Sequence, residues 1–211
     1  MTLEENLISA LRGVESAFSR DELAYLALTQ KVEQAFRDKL AFVLHQRLDN
    51  SRFLVCREWK RADLAVLEGG RPVLILEAKA GYTFDILNDK GYDFQNLVAA
   101  DLKKTSILIS KLGLDTSPSV YALVIATHPS MAPHDRFSDA IKYLPGITRF
   151  ANASNNRESV CKRMDLRMSA FELVDTHETC AGAAFGVKVT VYSWLYRARA
   201  FENLIDLGAK H

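Results

Sequence analysis

Arg61-Ala62-Asp63-Leu64-Ala65-Val66-Leu67-Glu68-Gly69-Gly70-Arg71-Pro72-Val73-Leu74-Ile75-Leu76-Glu77-Ala78-Lys79 is the stretch that decides the fold. Two apolar runs rich in strand formers flank a glycine pair, which reads as two strands joined by a turn. Glu68 and Arg71 merely border that turn, whereas Asp63, Glu77 and Lys79 sit at the far end, where charges beside long apolar runs need a reason. Two neighbouring carboxylates repel unless something positive lies between them. Hard oxygen donors of this kind suit Mg²⁺, which accepts one or two carboxylates, keeps several waters and takes further oxygens from a phosphate. Lys79, two residues beyond Glu77, projects from the same strand face and is placed to hold or activate a water.

Register sets a condition on this reading. If Gly69 and Gly70 alone form the loop of a regular hairpin, Glu68 pairs with Arg71 and Asp63 with Leu76, and the two acids fall on opposite faces. A three-residue loop, or an equivalent bulge, restores their parity. The acid-x-Lys triplet also recurs at Glu58-Trp59-Lys60 and Asp101-Leu102-Lys103. No acid precedes the first on a neighbouring strand, and the second lies among apolar residues at helical spacing, so context selects Glu77-Ala78-Lys79.

The Asp63…Glu77-Ala78-Lys79 pattern resembles the core of the PD-(D/E)XK phosphodiesterase superfamily, which includes many restriction endonucleases, junction resolvases and repair nucleases. Within it, the nuclease domain of type I restriction motor subunits is the nearest in character. The resemblance implies a restriction endonuclease-like α/β fold, with a central mixed β-sheet flanked by helices on both faces and an α-β-β-β-α-β core. It also implies Mg²⁺, with Mn²⁺ as a substitute, held by Asp63, Glu77 and the Ala78 carbonyl, with Lys79 serving the nucleophilic water. Ala62 stands where many members have proline. The implied function is endonucleolytic hydrolysis of DNA in restriction, phage defence or repair, RNA being left open as a substrate. The alternative is a non-catalytic module that binds nucleic acid or protein on the same fold; a blander one makes Glu77 and Lys79 a strand-end ion pair.

Two flanking helices extend the likeness over about residues 25–130. Val32, Phe36, Leu40, Val43 and Leu44 form a helical stripe. Glu33 lies on its flank and matches the family's helix acid, the other reading being a solvated glutamate favoured by the helix dipole. After the core, Gln95 matches a residue that touches the scissile phosphate or holds the lysine, and Lys103 and Lys104 are further phosphate candidates. Ala99 replaces the tyrosine of the family's Gln-x-x-x-Tyr form. A helix normally carries such groups on its wet face.

The 211 residues, 48% hydrophobic and 25% charged, suit one domain over 1–211, with the core followed by a helix and strand extension from about 131. A formal charge of +1 gives no global pull towards DNA, so a nucleic-acid surface must be local. The run from Arg149 to Arg199 is slightly basic, and Arg163 and Arg167, one turn apart, could straddle a phosphate or simply face solvent. Three scattered cysteines, an acidic amino-terminal segment and the lack of a long apolar run fit a cytoplasmic protein without a membrane span. None of His128, His134 and His177 has zinc spacing, and neither a Gly-x-x-x-x-Gly-Lys loop nor a Gly-x-Ser-x-Gly elbow is present.

Periodicity predicts helices at 2–17 and 20–48, strands at 52–59, 62–68 and 72–79, a helix at 92–112 and a buried strand at 120–126. Beyond these come a loop-rich segment over 127–150 with a short helix near Asp139–Leu144, a helix at 156–174 and a strand at 187–195. The alternation of Val187, Val189 and Val191 with polar residues suggests a sheet edge or the contact of a homodimer.

Overall fold

The computed structural model describes residues 1–88, 93–114, 116–151 and 157–198. Among them the chain is α/β, with a mixed sheet of six strands and seven α-helices. Helix α1 (Leu3–Arg12) starts on a capping box in which Thr2 and Glu5 satisfy each other's backbone N–H groups. A short 3₁₀ turn (Val14–Ala17), α2 (Glu22–Thr29) and α3 (Glu33–Arg47) follow. The helix expected over 20–48 is therefore two, broken at Gln30, where the backbone turns extended.

Strands β1 (Phe53–Trp59), β2 (Ala62–Glu68) and β3 (Arg71–Tyr82) form an antiparallel meander. A short α4 (Thr83–Leu87) leads to α5 (Phe94–Leu112), which crosses to β4 (Ser119–Pro129), parallel to β3. The expected α-β-β-β-α-β order is thus present, with one extra helical turn inserted before α5.

The two apolar faces of β3 explain the layering. Leu74, Leu76, Ala78 and Ala80 face a core shared with α1, α2 and α3, while Ile75 on the other face packs with Phe94, Val98 and Leu102 of α5. A strand buried on both faces must carry helices on both sides, as here.

The later part of the chain departs from expectation. No helix forms over 139–143; α6 starts only at Leu144 and runs Leu144–Ala151. Helix α7 (Arg157–Arg167) ends before Phe171, and residues predicted helical up to 174 enter β5 (Glu172–Ala184) instead. Strand β6 (Val187–Arg197) lies between β4 and β5 in the order β1-β2-β3-β4-β6-β5, so it is interior and gives no edge for a homodimer. The segment after 131 thus adds two strands to the same sheet. Tyr92, Asn156 and Arg199, included in the sequence readings, lie outside the described residues.

Both hairpins of the meander use two-residue turns with left-handed backbone. Gly69 and Gly70 (φ 57° and 79°) join β2 to β3, and Lys60 and Arg61 (φ 49° and 79°) join β1 to β2. Glycine takes this conformation freely; a residue with a Cβ gives up about 1–2 kcal/mol. Nothing lies within 4 Å of a Cβ added at Gly70, so Gly70→Val meets only the backbone penalty. It is expected to destabilise the fold by about 1–2 kcal/mol in urea unfolding.

Candidate active site

The turn is the two-residue one, with Glu68 opposite Arg71 and Leu67 opposite Pro72, yet Val66 then pairs with Leu74. Val73 is the extra residue, a bulge that shifts everything beyond it by one. Leu64 consequently meets Leu76, and both enter the core on the α1–α3 side. Asp63 and Glu77, one step further along each strand, share the opposite face, so the parity condition is met by a bulge.

Asp63, Glu77 and Lys79 line one cleft of about 580 Å³, with Asp101 and Thr105 of α5 on its wall. Strand β3 outruns β2, leaving backbone N–H groups on the shared edge without a strand partner. Carboxylates take that place. The Ala78 N–H donates to Asp63 Oδ2 at 2.8 Å and the Ala80 N–H to Glu33 Oε2 at 3.0 Å. Because the N–H and C=O of one strand residue point the same way, the Ala78 carbonyl also faces the Asp63 side.

Arg37, one turn after Glu33 on α3 and almost wholly buried, donates to Asp63 Oδ1 at 3.3 Å and to Glu58 Oε1 at 3.2 Å. From the other layer, the Thr105 hydroxyl donates to Glu77 Oε1, and Lys79 Nζ lies 2.5 Å from Asp101 Oδ2. Lys104 shares the same Asp101 carboxylate at 2.7 Å. Lys79 is therefore paired with Asp101 and not with Glu77.

Electrostatics follow from this packing. Burial, with Asp63 and Asp101 nearby, pushes Glu77 up to about 7 against the opposing Thr105 hydrogen bond. Burial and then Asp63 likewise raise Glu33, although Lys79 and the Ala80 N–H pull the other way. Burial alone would lower Lys79, but Asp101, Glu33 and Asp63 outweigh it and keep the ammonium charged. Burial would raise Asp101, and Lys104 and Lys79 hold it below the usual carboxylate range.

Gln95, by contrast, is half-buried at the start of α5 and is not part of the cleft wall, and Lys103 points to solvent. Arg167 donates to the carbonyls of Asp85 and Asn88, which ties α7 to the chain after α4. Sequence reading missed Arg37, Asp101 and Thr105. A signal existed for two of them: an arginine one turn from Glu33 inside an apolar stripe, and a polar residue, Asp101, one turn before Thr105 on a helix with a buried face.

Among the described residues, no group of three or more His, Cys, Asp and Glu is placed to hold a metal ion. The donor set is smaller: two carboxylates and one carbonyl, all hard oxygens. That set fits Mg²⁺, which needs few protein ligands, and the burial and neighbouring acids that raise Glu77 are what a divalent cation would offset. Among the described residues, no helix is long and apolar enough to cross a membrane. Compared with protein-family models, curated proteins and solved structures, the chain matches none.

A carboxyl raised in the fold keeps its proton there at a pH where the unfolded chain has lost it. Stability is then highest below the unfolded value and falls as pH rises through the folded one. In EDTA, the melting temperature is expected to decline between pH about 4.5 and about 7 through Glu77. Glu77→Gln should flatten that decline, and Mg²⁺ should raise the wild-type melting temperature more at pH 8 than at pH 5.

Proposed function

We propose that this chain is a Mg²⁺-dependent DNA endonuclease of the PD-(D/E)XK type on a restriction endonuclease-like fold. The observation that carries the reading is the convergence of Asp63, Glu77 and Lys79 on one cleft through the Val73 bulge. Asp63, Glu77 and the Ala78 carbonyl would hold the cation. When bound, it supplies Lewis-acid activation of the phosphodiester and of water.

The chain's own residues do the positioning. Arg37 fixes one Asp63 oxygen and the Ala78 N–H fixes the other, so the carboxylate cannot rotate freely. Thr105 orients Glu77, Asp101 tethers Lys79, and Glu33 sits beside Lys79 on the β3 edge. Lys79 presents an ammonium to the water and to the phosphate oxygens. Water adds to phosphorus, the P–O3′ bond breaks, and a 5′-phosphate and a 3′-hydroxyl result. Three free cysteines accord with work on DNA in a reducing cytoplasm.

Incubation of plasmid, linear and branched DNA with the protein in Mg²⁺ and in Mn²⁺ tests the reading. Cleavage is expected, with loss of about 10²–10⁴-fold in Lys79→Ala and no measurable activity in Asp63→Ala, both variants remaining folded by circular dichroism. Undiminished cleavage in either variant refutes the assignment. The non-catalytic alternative predicts DNA binding without cleavage and no change in metal titration on Asp63→Asn.

A further inference from the structure

Six non-glycine residues have positive φ among the described residues, and three of them, Glu58, Lys60 and Arg61, fall within four positions at the β1–β2 turn. The same backbone is made elsewhere with glycine: Gly69–Gly70 between β2 and β3, and Gly186 after Phe185 between β5 and β6. At the β1–β2 turn both positions are long cations. The sequence holds a strained conformation where Asn-Gly would relax it.

The location gives that strain a use. Lys60 and Arg61 immediately precede Ala62 and Asp63 and line the same cleft as the acids, with Lys111 of α5 also on its wall. Among the described residues, no carboxylate pairs with Lys60, Arg61 or Lys111. Elsewhere Arg12 pairs with Asp175, Arg57 with Asp38 and Arg197 with Glu4. The Lys60 ammonium lies 5.6 Å from the centroid of the Trp59 ring, a contact that steadies the side chain without neutralising it. A cleft lined by Asp63, Glu77 and Asp101 together with cations that have no carboxylate partner suits a ligand whose negative charge extends beyond the metal position. A metal ion alone does not need such a rim, and a chain of phosphates does.

We infer that the Lys60-Arg61 turn is a phosphate clamp, gripping the DNA backbone beside the bond that lies over Asp63 and Glu77. This rests on the nuclease reading, and it adds the element that holds the substrate strand at the cleft mouth. The strained turn places both cations on the wall of the cleft, so binding and fold stability oppose each other at these two positions.

The test is fluorescence anisotropy of a short fluorescein-labelled DNA duplex in Ca²⁺ over a range of KCl concentrations, with cleavage in Mg²⁺ measured in parallel. Lys60→Asn/Arg61→Gly keeps the turn, removes both charges and relaxes the backbone; Lys60→Gln/Arg61→Gln removes the charges and leaves the strain. Both variants are expected to bind at least several-fold more weakly, with the slope of log K against log salt reduced by about 2. Only the Asn-Gly variant should melt at a higher temperature than wild type. Unchanged affinity and slope in both variants, with wild-type cleavage intact, overturns the clamp and leaves the nuclease reading standing. Turn-dependent binding by a wild type that cleaves nothing in Mg²⁺ or Mn²⁺ supports the clamp and defeats the nuclease reading. A wild type that does not bind the duplex defeats the clamp.

Discussion

A single inserted residue, Val73, sets the relation between the two acids that matter. Strand side chains alternate with period two, so the tight Gly69–Gly70 turn on its own would send Asp63 and Glu77 through opposite faces of the sheet. The bulge reverses that parity for everything nearer the cleft while leaving the turn in its preferred geometry. Pro72, which has no N–H for the ladder, stands next to the extra residue, where a regular pair is not needed. The chemistry of the cleft and the packing of β3 against two helical layers therefore share one cause.

Around that pair, each ionisable group is held from a different element. Strand β3 runs past the start of β2 and leaves N–H groups that Asp63 and Glu33 occupy. Helix α3 supplies Arg37 from one layer, and α5 supplies Asp101 and Thr105 from the other. Burial raises Glu77 and Glu33, while opposite charge keeps Lys79 an ammonium. Carboxylates pushed up by burial thus stand beside a cation held charged by its neighbours.

The legible part of the sequence was local and strongly patterned. The strands from Ala62 to Lys79, helix α5 and strand β4 could be read because apolar runs, glycine punctuation and helical spacing all agree there. Asp63, Glu77 and Lys79 stood out because charges interrupted apolar strands. Strand β5 did not, since Asp175, Glu178 and Gly182 mask the strand propensity of its valine and threonines, and its pairing with β6 is decided by tertiary context. The break at Gln30 carries neither proline nor glycine, so nothing local announces it. Arg37, Asp101 and Thr105 had at most a faint local signal, because their importance lies in what faces them across space. Gln95 was singled out by analogy, and it is not among the residues that line the cleft.

The ion pair between Glu4 and Arg197 joins residues 193 positions apart, and Arg12 reaches Asp175 across 163. Helix α1 thus docks on strands that are made long after it. Contacts of such span require all of the intervening chain to be present before they repay the entropy of closing the loop. During synthesis the β1–β3 meander and α5 can form early, but the helical layer against α1 is completed only after β5 and β6 have left the ribosome. The acids of the cleft thus precede, in order of synthesis, the two strands on which the α1 layer closes.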